Sequence, residues 1–543
     1  MLKSSIRPLL PQLRKQAPSA LAWRPVQRVF HNTSSKKTKE SESSQQHERK
    51  EQSKRPVVLA SALSATATAI GGTLLYATVN SNKSQYASRA EVELAIQEIR
   101  QALGEDVVSI EDEILHSHGY SDWSTINIDR LPVAVTFPNS TEEVAIIAKI
   151  FPYSGGSSLE GHFSAPFGGV SVDFVNMNNI LEVHGDDLNV IVQPSVPWME
   201  LNEKIKDTDL FFPIDPGPSA QIGGMIGTNC SGTNAVKYGT MKDWVVNLTV
   251  VLSDGTIMKT RRRPRKSSAG YNLNSLFVGS EGTLGFVTEA TLKLAPIPEM
   301  TGIAVVTFPT VKAAATMAIE VIRRGVPISA VEILDEVLMS VINRMGATSR
   351  EWNEVPTLFF KFSGSDAIVR DSIAQVQDIS KRHQARDFQY ESDPHKQKAL
   401  WSARKEALWS MMALRRTEGH VWSTDVAVPL SRVAELIDIS KKDLVELGLF
   451  GSILGHIGDG NFHESILFED KDRRQVEDCV HKMVSRAIEM EGTCTGEHGI
   501  GLGKKDFLRE EVGDMPLQVM RSIKASLDPF WLMNPGKIFD RVN

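Results

Sequence analysis

The sequence predicts an α+β protein of two or three domains. Its 543 residues are more than one hydrophobic core usually organises. From Thr301 onward, strand-like apolar runs at 304–306, 327–334 and 358–362 alternate with helix-like ones at 313–323 and 368–379, the pattern of a ferredoxin-like domain. Ahead of them, three glycine-rich tracts stand between apolar runs. Glycine is costly to order, so this repetition implies a ligand that the backbone itself approaches closely.

The first 39 residues hold Lys3, Arg7, Arg14, Lys15, Arg24 and Arg28, with no acidic residue before Glu40. That is the composition of a mitochondrial presequence, and no long apolar core follows the first charges, which disfavours a secretory signal. Arg28-Val29-Phe30 before His31 resembles a matrix-protease cleavage site, placing a presequence at 1–30 and a polar linker at 31–56. Residues 57–79 are uncharged and long enough for a transmembrane helix, which needs about 20 residues. Lys54 and Arg55 precede this stretch and would keep its N-terminal side in the matrix, leaving the catalytic body in the intermembrane space beside the mitochondrial inner membrane. The chain has 60 Lys/Arg and 66 Asp/Glu; residues 1–56 take 13 and 4 of these, so the remainder holds 47 basic against 62 acidic groups. An acidic body argues against nucleic acid as a partner. The three cysteines, Cys230, Cys479 and Cys494, have no spacing that suggests a disulfide framework or a thiolate metal site, and are expected to be packing residues.

In the body, apolar residues recur at helical spacing over 88–103, and 131–135 reads as a strand. Ser140-Thr141-Glu142-Glu143 caps a helix reaching Lys149. The first glycine tract, Pro152-Tyr153-Ser154-Gly155-Gly156-Ser157-Ser158, offers a concavity of backbone N–H groups suited to a pyrophosphate. The second runs Gly223-Gly224-Met225-Ile226-Gly227-Thr228-Asn229-Cys230-Ser231-Gly232. The third, Gly279-Ser280-Glu281-Gly282-Thr283-Leu284-Gly285, follows a strand-like Leu276-Phe277-Val278 and leads into Phe286-Val287. None is a Rossmann fingerprint or a Walker loop, so a nucleotide cofactor would be held in another way.

Two later loops carry the chemistry. Ser452-Ile453-Leu454 reads as the end of a buried strand, and Gly458 and Gly460 permit the reversal that returns His463 to the side of His456. Gly496-Glu497-His498-Gly499-Ile500-Gly501 is bent enough by its glycines to aim two neighbouring side chains inward, which a straight strand forbids. His456, His463 and Glu497 suit a divalent metal with an open position, Zn²⁺ or Mn²⁺, with His498 as a further imidazole beside it. A lone Gly-His turn is more often surface loop than ligand. Here two such loops within fifty residues hold three of only 13 histidines. A metal beside a third imidazole would suit hydroxyl activation, with His498 taking the proton.

The glycine tracts, Arg263-Pro264-Arg265-Lys266-Ser267-Ser268-Ala269-Gly270-Tyr271-Asn272-Leu273, the His456 to His463 turn, Thr493-Cys494-Thr495-Gly496-Glu497-His498 and Asn534-Pro535-Gly536-Lys537 together resemble the FAD-linked oxidase family of the vanillyl-alcohol oxidase (PCMH) type, in its mitochondrial D-lactate dehydrogenase (cytochrome) branch. The resemblance runs from about residue 90 to the C-terminus. It implies a two-subdomain FAD-binding domain at 88–298, a substrate (cap) domain at 299–528 bearing the metal site, and a return of 529–543 to the FAD domain. It further implies FAD contacts from Gly155, Gly156, Ser157, Ser158, Pro218, Gly223, Gly224, Gly227, Thr228, Ser231, Glu281, Gly282, Val287 and Asn534. Covalent members carry histidine where Ser157 stands, so FAD should be non-covalent. Arg404 matches a substrate-facing arginine, which would hold a carboxylate in two parallel hydrogen bonds. The implied reaction is oxidation of D-lactate to pyruvate with cytochrome c as acceptor. D-2-hydroxyglutarate dehydrogenase, which needs a second cationic pocket, and a non-catalytic anchored flavoprotein are the alternatives.

One junction departs from that family. Its members spend on the order of ten residues on a loop and buried strand between the first helix and the glycine turn. Here Ile150-Phe151 joins them almost directly, and two residues at ~3.3 Å each cannot cross a sheet. Either the helix end unwinds to supply the strand, or a central element is missing and the flavoprotein is catalytically impaired.

Overall fold

The computed structural model describes residues 89–541 except 122–123, 125, 151–159, 163 and 416–418. The expected presequence, linker and anchor, and the turn of Gly155, Gly156, Ser157 and Ser158, lie outside the described residues. Among those described, no helix is long and apolar enough to cross a membrane.

Three sheets and one two-stranded ladder, Leu210–Phe211 with Ala295–Pro296, organise the described residues. The first is small: β1 (Val108–Ser109), β2 (Ala134–Thr136) and β3 (Val170–Val172) in that order, with β2 antiparallel to β1 and parallel to β3. The helix Arg89–Leu103 buries Val92, Ile96 and Ile99 on one stripe, as the sequence periodicity requires. Beside it lies the helix Thr141–Ile150, whose Glu143 N–H donates to Ser140 Oγ at 3.2 Å, the expected cap. This helix stays helical through Ile150, so within the described residues its end does not unwind into a strand. The expected strand at 131–135 forms three residues later than its start, beyond Pro132, which has no N–H to give a ladder.

The second sheet is antiparallel and five-stranded, in the order β4 (Ile180–His184), β5 (Asn189–Val192), β8 (Phe286–Lys293), β6 (Val245–Val251), β7 (Ile257–Lys259). Every residue of β6 is buried. The helix Ile222–Thr228, made by the second glycine tract, packs Ile222, Met225 and Ile226 into this sheet's core. The strand expected at 276–278 is instead the end of a short helix, Asn274–Phe277. Tertiary contacts decide it: Asn274 is buried and donates through Nδ2 to the Val246 carbonyl at 2.7 Å while accepting from Thr260 Oγ1.

The third sheet begins as the expected ferredoxin-like unit, β12 (Asp387–Glu391), β9 (Met300–Thr307), β11 (Thr357–Gly364) and β10 (Ala330–Leu334) side by side, with the helices Val311–Arg323 and Asp366–Arg382 as crossovers. It then continues through β15 (Phe450–Gly455), β16 (Asn461–Glu469) and β13 (Gly419–Ser423), with β14 (Val426–Ala427) pairing to β16. The extension beyond four strands carries the metal-type histidines. In the C-terminal segment, Met533 packs into the core of the first sheet and its helices, and Lys537 Nζ donates to the carbonyls of His162 and Ser164 at 2.9 and 2.8 Å. All three cysteines are buried and unpaired.

Candidate active site

β15 and β16 form a hairpin in which Leu454 faces His463 across the ladder, so His456, two residues past Leu454, falls beside it. The turn needs its glycine. Gly460 has φ +74°, and a Cβ there would come within 2.2 Å of the Val428 carbonyl oxygen. The 496–501 loop closes over the hairpin because one carboxylate gathers it. Asp425 Oδ2 accepts from the N–H of Glu497 and of His498, both at 2.8 Å, and from Thr495 Oγ1. Asp425 is fully buried; burial opposes its charge, but His498, Lys504 and His463 outweigh burial and hold it well below the ordinary carboxylate range.

The expected ligands converge. Glu497 Oε1 lies 3.1 Å from His456 Nε2 and 3.5 Å from His463 Nε2, and donor atoms of the three residues all fall within 4.8 Å of one another. Each imidazole is aimed by its other nitrogen. His463 Nδ1 donates to the Thr424 carbonyl at 2.9 Å, and His456 Nδ1 to Glu332 Oε1 at 2.8 Å. Pinning Nδ1–H in this way presents the Nε2 lone pair to an ion, the arrangement that metal-ligating histidines use. Ser231 Oγ donates to Glu497 Oε2 at 2.6 Å, leaving Oε1 for the cluster. Burial resists charge here, yet Glu332 and Glu497 raise the His456 imidazole well above its ordinary value, and the two histidines hold Glu497 well below its own. The residues therefore fit a divalent cation.

His498 stacks on His463 with ring centroids 5.1 Å apart and planes 9° from parallel. Its Nδ1 is 3.7 Å from Glu160 and 4.0 Å from Asp425. Burial lowers its basicity, but these carboxylates raise it overall. Arg404, on the helix Pro394–Ala413, gives Nε to Glu332 Oε2 at 2.8 Å. Glu332 thus joins Arg404 to His456, and no hydrogen bond from the terminal guanidinium nitrogens forms among the described residues.

Beside this cluster lies a cavity of about 300 Å³. Gly223, Gly224, Gly227, Thr228, Glu281, Gly282, Val287 and Asn534, all expected FAD contacts, line it; Pro218 and Ser231 do not. A Cβ on Gly227 would meet nothing within 4 Å, so the bare backbone is presented to the cavity. His162 also lines it. Its Nε2 donates to Glu281 Oε2 at 2.6 Å, and its buried Nδ1 has no partner among the described residues, a group that a heteroaromatic cofactor could satisfy. Glu281 spends its carboxylate on His162 and on the N–H groups of Ile500 and Gly501, fastening the 496–501 loop to the cavity wall. The residues present fit FAD.

Sequence reasoning does not find Glu332, Asp425, Glu160 or His162. Glu332 has a signal, being the one charged residue in the apolar run 327–334; the others have none that chain order could supply.

The family described as "FAD binding domain" matches residues 132–261, and "FAD linked oxidases, C-terminal domain" matches 297–538. D-lactate dehydrogenase [cytochrome], mitochondrial, of Kluyveromyces lactis is 45% identical over 475 residues, 84% of this chain and 82% of that protein. Its namesake of Arabidopsis thaliana is 46% identical over 455 residues, 82% of this chain and 79% of the other. The solved structure of 4-ethylphenol oxidase from Gulosibacter chungangensis superposes with a TM-score of 0.70 at 18% identity, covering 84% of this chain and 98% of that one, which shows a shared fold.

Proposed function

The chain belongs to the FAD-linked oxidases, among the mitochondrial D-lactate dehydrogenases [cytochrome], and we propose from that premise that it oxidises D-lactate to pyruvate at the His456, His463 and Glu497 cluster. Non-covalent FAD when bound supplies the hydride acceptor, and a divalent ion, Zn²⁺ or Mn²⁺, supplies a Lewis acid that favours the alkoxide. The observation that carries this reading is the convergence of two Nδ1-pinned imidazoles and a carboxylate, with a third imidazole stacked on His463, next to a cavity bared on one side by glycines. His498 takes the C2 hydroxyl proton; its carboxylate neighbours Asp425 and Glu160 stabilise the imidazolium that results. Arg404, with Nε held by Glu332, turns its terminal nitrogens to the substrate carboxylate. The 496–501 loop, fastened at Asp425 and Glu281, keeps these groups in register with the flavin cavity.

Cytochrome c is the terminal acceptor in this proposal. The body works in the mitochondrion, held to the inner membrane by residues 57–79 and facing the intermembrane space. Anaerobic D-lactate should bleach the flavin absorbance and L-lactate should not; equal bleaching by both would refute a D-specific site. A kcat/KM for D-2-hydroxyglutarate above that for D-lactate would reassign the substrate.

A further inference from the structure

A second cavity, of about 330 Å³, opens between the FAD-binding segment at 211–238 and the third sheet. Its rim is at the surface. Ile297 is 47% exposed, and Thr301 pairs with Gln397 through Oγ1 to Oε1 at 3.1 Å and through its carbonyl to Nε2 at 3.0 Å. Its inner end is made by buried Ser329 and by Lys361 of β11.

Lys361 is poorly satisfied for a lysine so placed. Nζ donates to Thr233 Oγ1 at 3.1 Å, and that is its one hydrogen bond among the described residues. The ammonium stands 4.2 Å over the Trp401 ring, a contact that attracts the charge and takes no proton. Asp215 is 3.8 Å away, but its oxygens already accept from Thr233 Oγ1 at 2.6 Å and from the Asn234 N–H at 2.8 Å. Burial pulls the amine's basicity below ordinary, with Asp215 and Glu332 acting the other way and Arg404 adding to the fall. Lys361 stands beside the two groups that form the proposed carboxylate-binding side of the site: Trp401, under its ammonium, is three residues before Arg404 on one helix, and Glu332 is two residues along β10 from Ala330, the cross-strand partner of Lys361. A cation with unspent N–H donors at the inner end of an open cavity attracts an anion, and low-dielectric walls strengthen that pull.

We propose that this cavity is the route by which the substrate carboxylate reaches the metal cluster, and that Lys361 is the positioning residue that draws the anion in and passes it to Arg404. The proposal rests on the reading of the substrate as a 2-hydroxy acid anion. No bond is made or broken at Lys361, so its effect falls on capture rather than chemistry.

The test uses the full-length, FAD-loaded enzyme with D-lactate. Lys361→Met should lower kcat/KM about tenfold or more while kcat changes less than about twofold, and should flatten the decline of kcat/KM with ionic strength. Lys361→Arg should recover most of both. Thr301→Trp, on the exposed rim and hydrogen-bonded to Gln397 rather than to any partner of the lysine, should also lower kcat/KM with flavin content and melting temperature unchanged. Wild-type kcat/KM and salt dependence in both Lys361→Met and Thr301→Trp would overturn the proposal. So would a Lys361→Met protein that loses flavin or melts early while Thr301→Trp is normal, since the lysine would then be structural only. Failure of the wild type itself to reduce its flavin with D-lactate would instead reject the substrate assignment.

Discussion

The glycine-bearing cavity and the histidine–carboxylate cluster are neighbours held in different ways. One stretch of the cavity wall is bare main chain, at glycines 223, 224, 227 and 282, and Glu281 beside it turns its carboxylate toward other protein groups. The cluster is all side chain, and each member is held twice, once toward the centre and once by Glu332, Thr424 or Ser231 behind it. Backbone walls give no single atom to delete, whereas a side-chain cluster fails at one substitution. Single substitutions should therefore separate the two regions cleanly.

The largest effect is expected at His498. His498→Ala should retain FAD and metal yet slow flavin reduction by well over ~100-fold, the scale of a lost general base; near-normal stopped-flow reduction would remove it from that role. His456→Ala or Glu497→Ala should leave the protein without its metal by elemental analysis while its flavin spectrum persists. Chelator treatment of wild type should abolish activity that a divalent ion restores. Full turnover by verified metal-free enzyme would erase the contrast between the regions. Next comes the support behind the cluster. Glu332→Gln should weaken metal affinity by about 10- to 100-fold and raise KM for D-lactate, because one carboxylate positions both His456 and Arg404. An unchanged metal titration would mean that the pinning is incidental.

The cavity should respond to what surrounds it. Inserting a loop and apolar strand after Ile150 should raise flavin occupancy and melting temperature together, since the chain gives only Ile150-Phe151 before the glycine turn. Stoichiometric FAD in the unaltered protein with normal D-lactate turnover would show that the short junction is harmless. The smallest effect is expected on the far face of β16. Glu464 is buried with Oε1 unpartnered, and burial, aided by Asp335 and Asp443, pushes its carboxyl up to about 8. The folded state thus holds a proton that the unfolded chain releases near pH 4.5. This contribution is present below the unfolded value and is lost as pH rises through about 8. Glu464→Gln should flatten that decline and raise Tm near pH 8 relative to wild type, read as the pH dependence of Tm. An unaltered Tm profile would place the ionisation elsewhere.

Much of this is legible in the order of residues alone. Periodicity and caps mark the helices at Arg89–Leu103, Thr141–Ile150 and Val311–Arg323, and glycines mark the hairpin that unites His456 and His463. Residue type and short spacing suffice there, because those contacts are local. The 276–278 run reads as strand instead of helix because three apolar residues are equally compatible with either, and Asn274's bonds to β6 settle the matter from 28 residues away.

By itself the sequence determined the α+β class and the glycine tracts, and it pointed to the two imidazoles, the carboxylate and the third imidazole that the fold brings together. Only the tertiary structure decided that Asp425 folds the 496–501 loop onto β16, that Glu332 links Arg404 to His456 across 72 and 124 positions of chain, and that Ser231 of a glycine tract holds the Glu497 carboxylate 266 residues later. The reason is physical. Covalent neighbours share a periodicity that the chain displays, but buried polar groups from distant segments choose partners by which of them desolvation brings together, and that choice exists only once the sheets have packed.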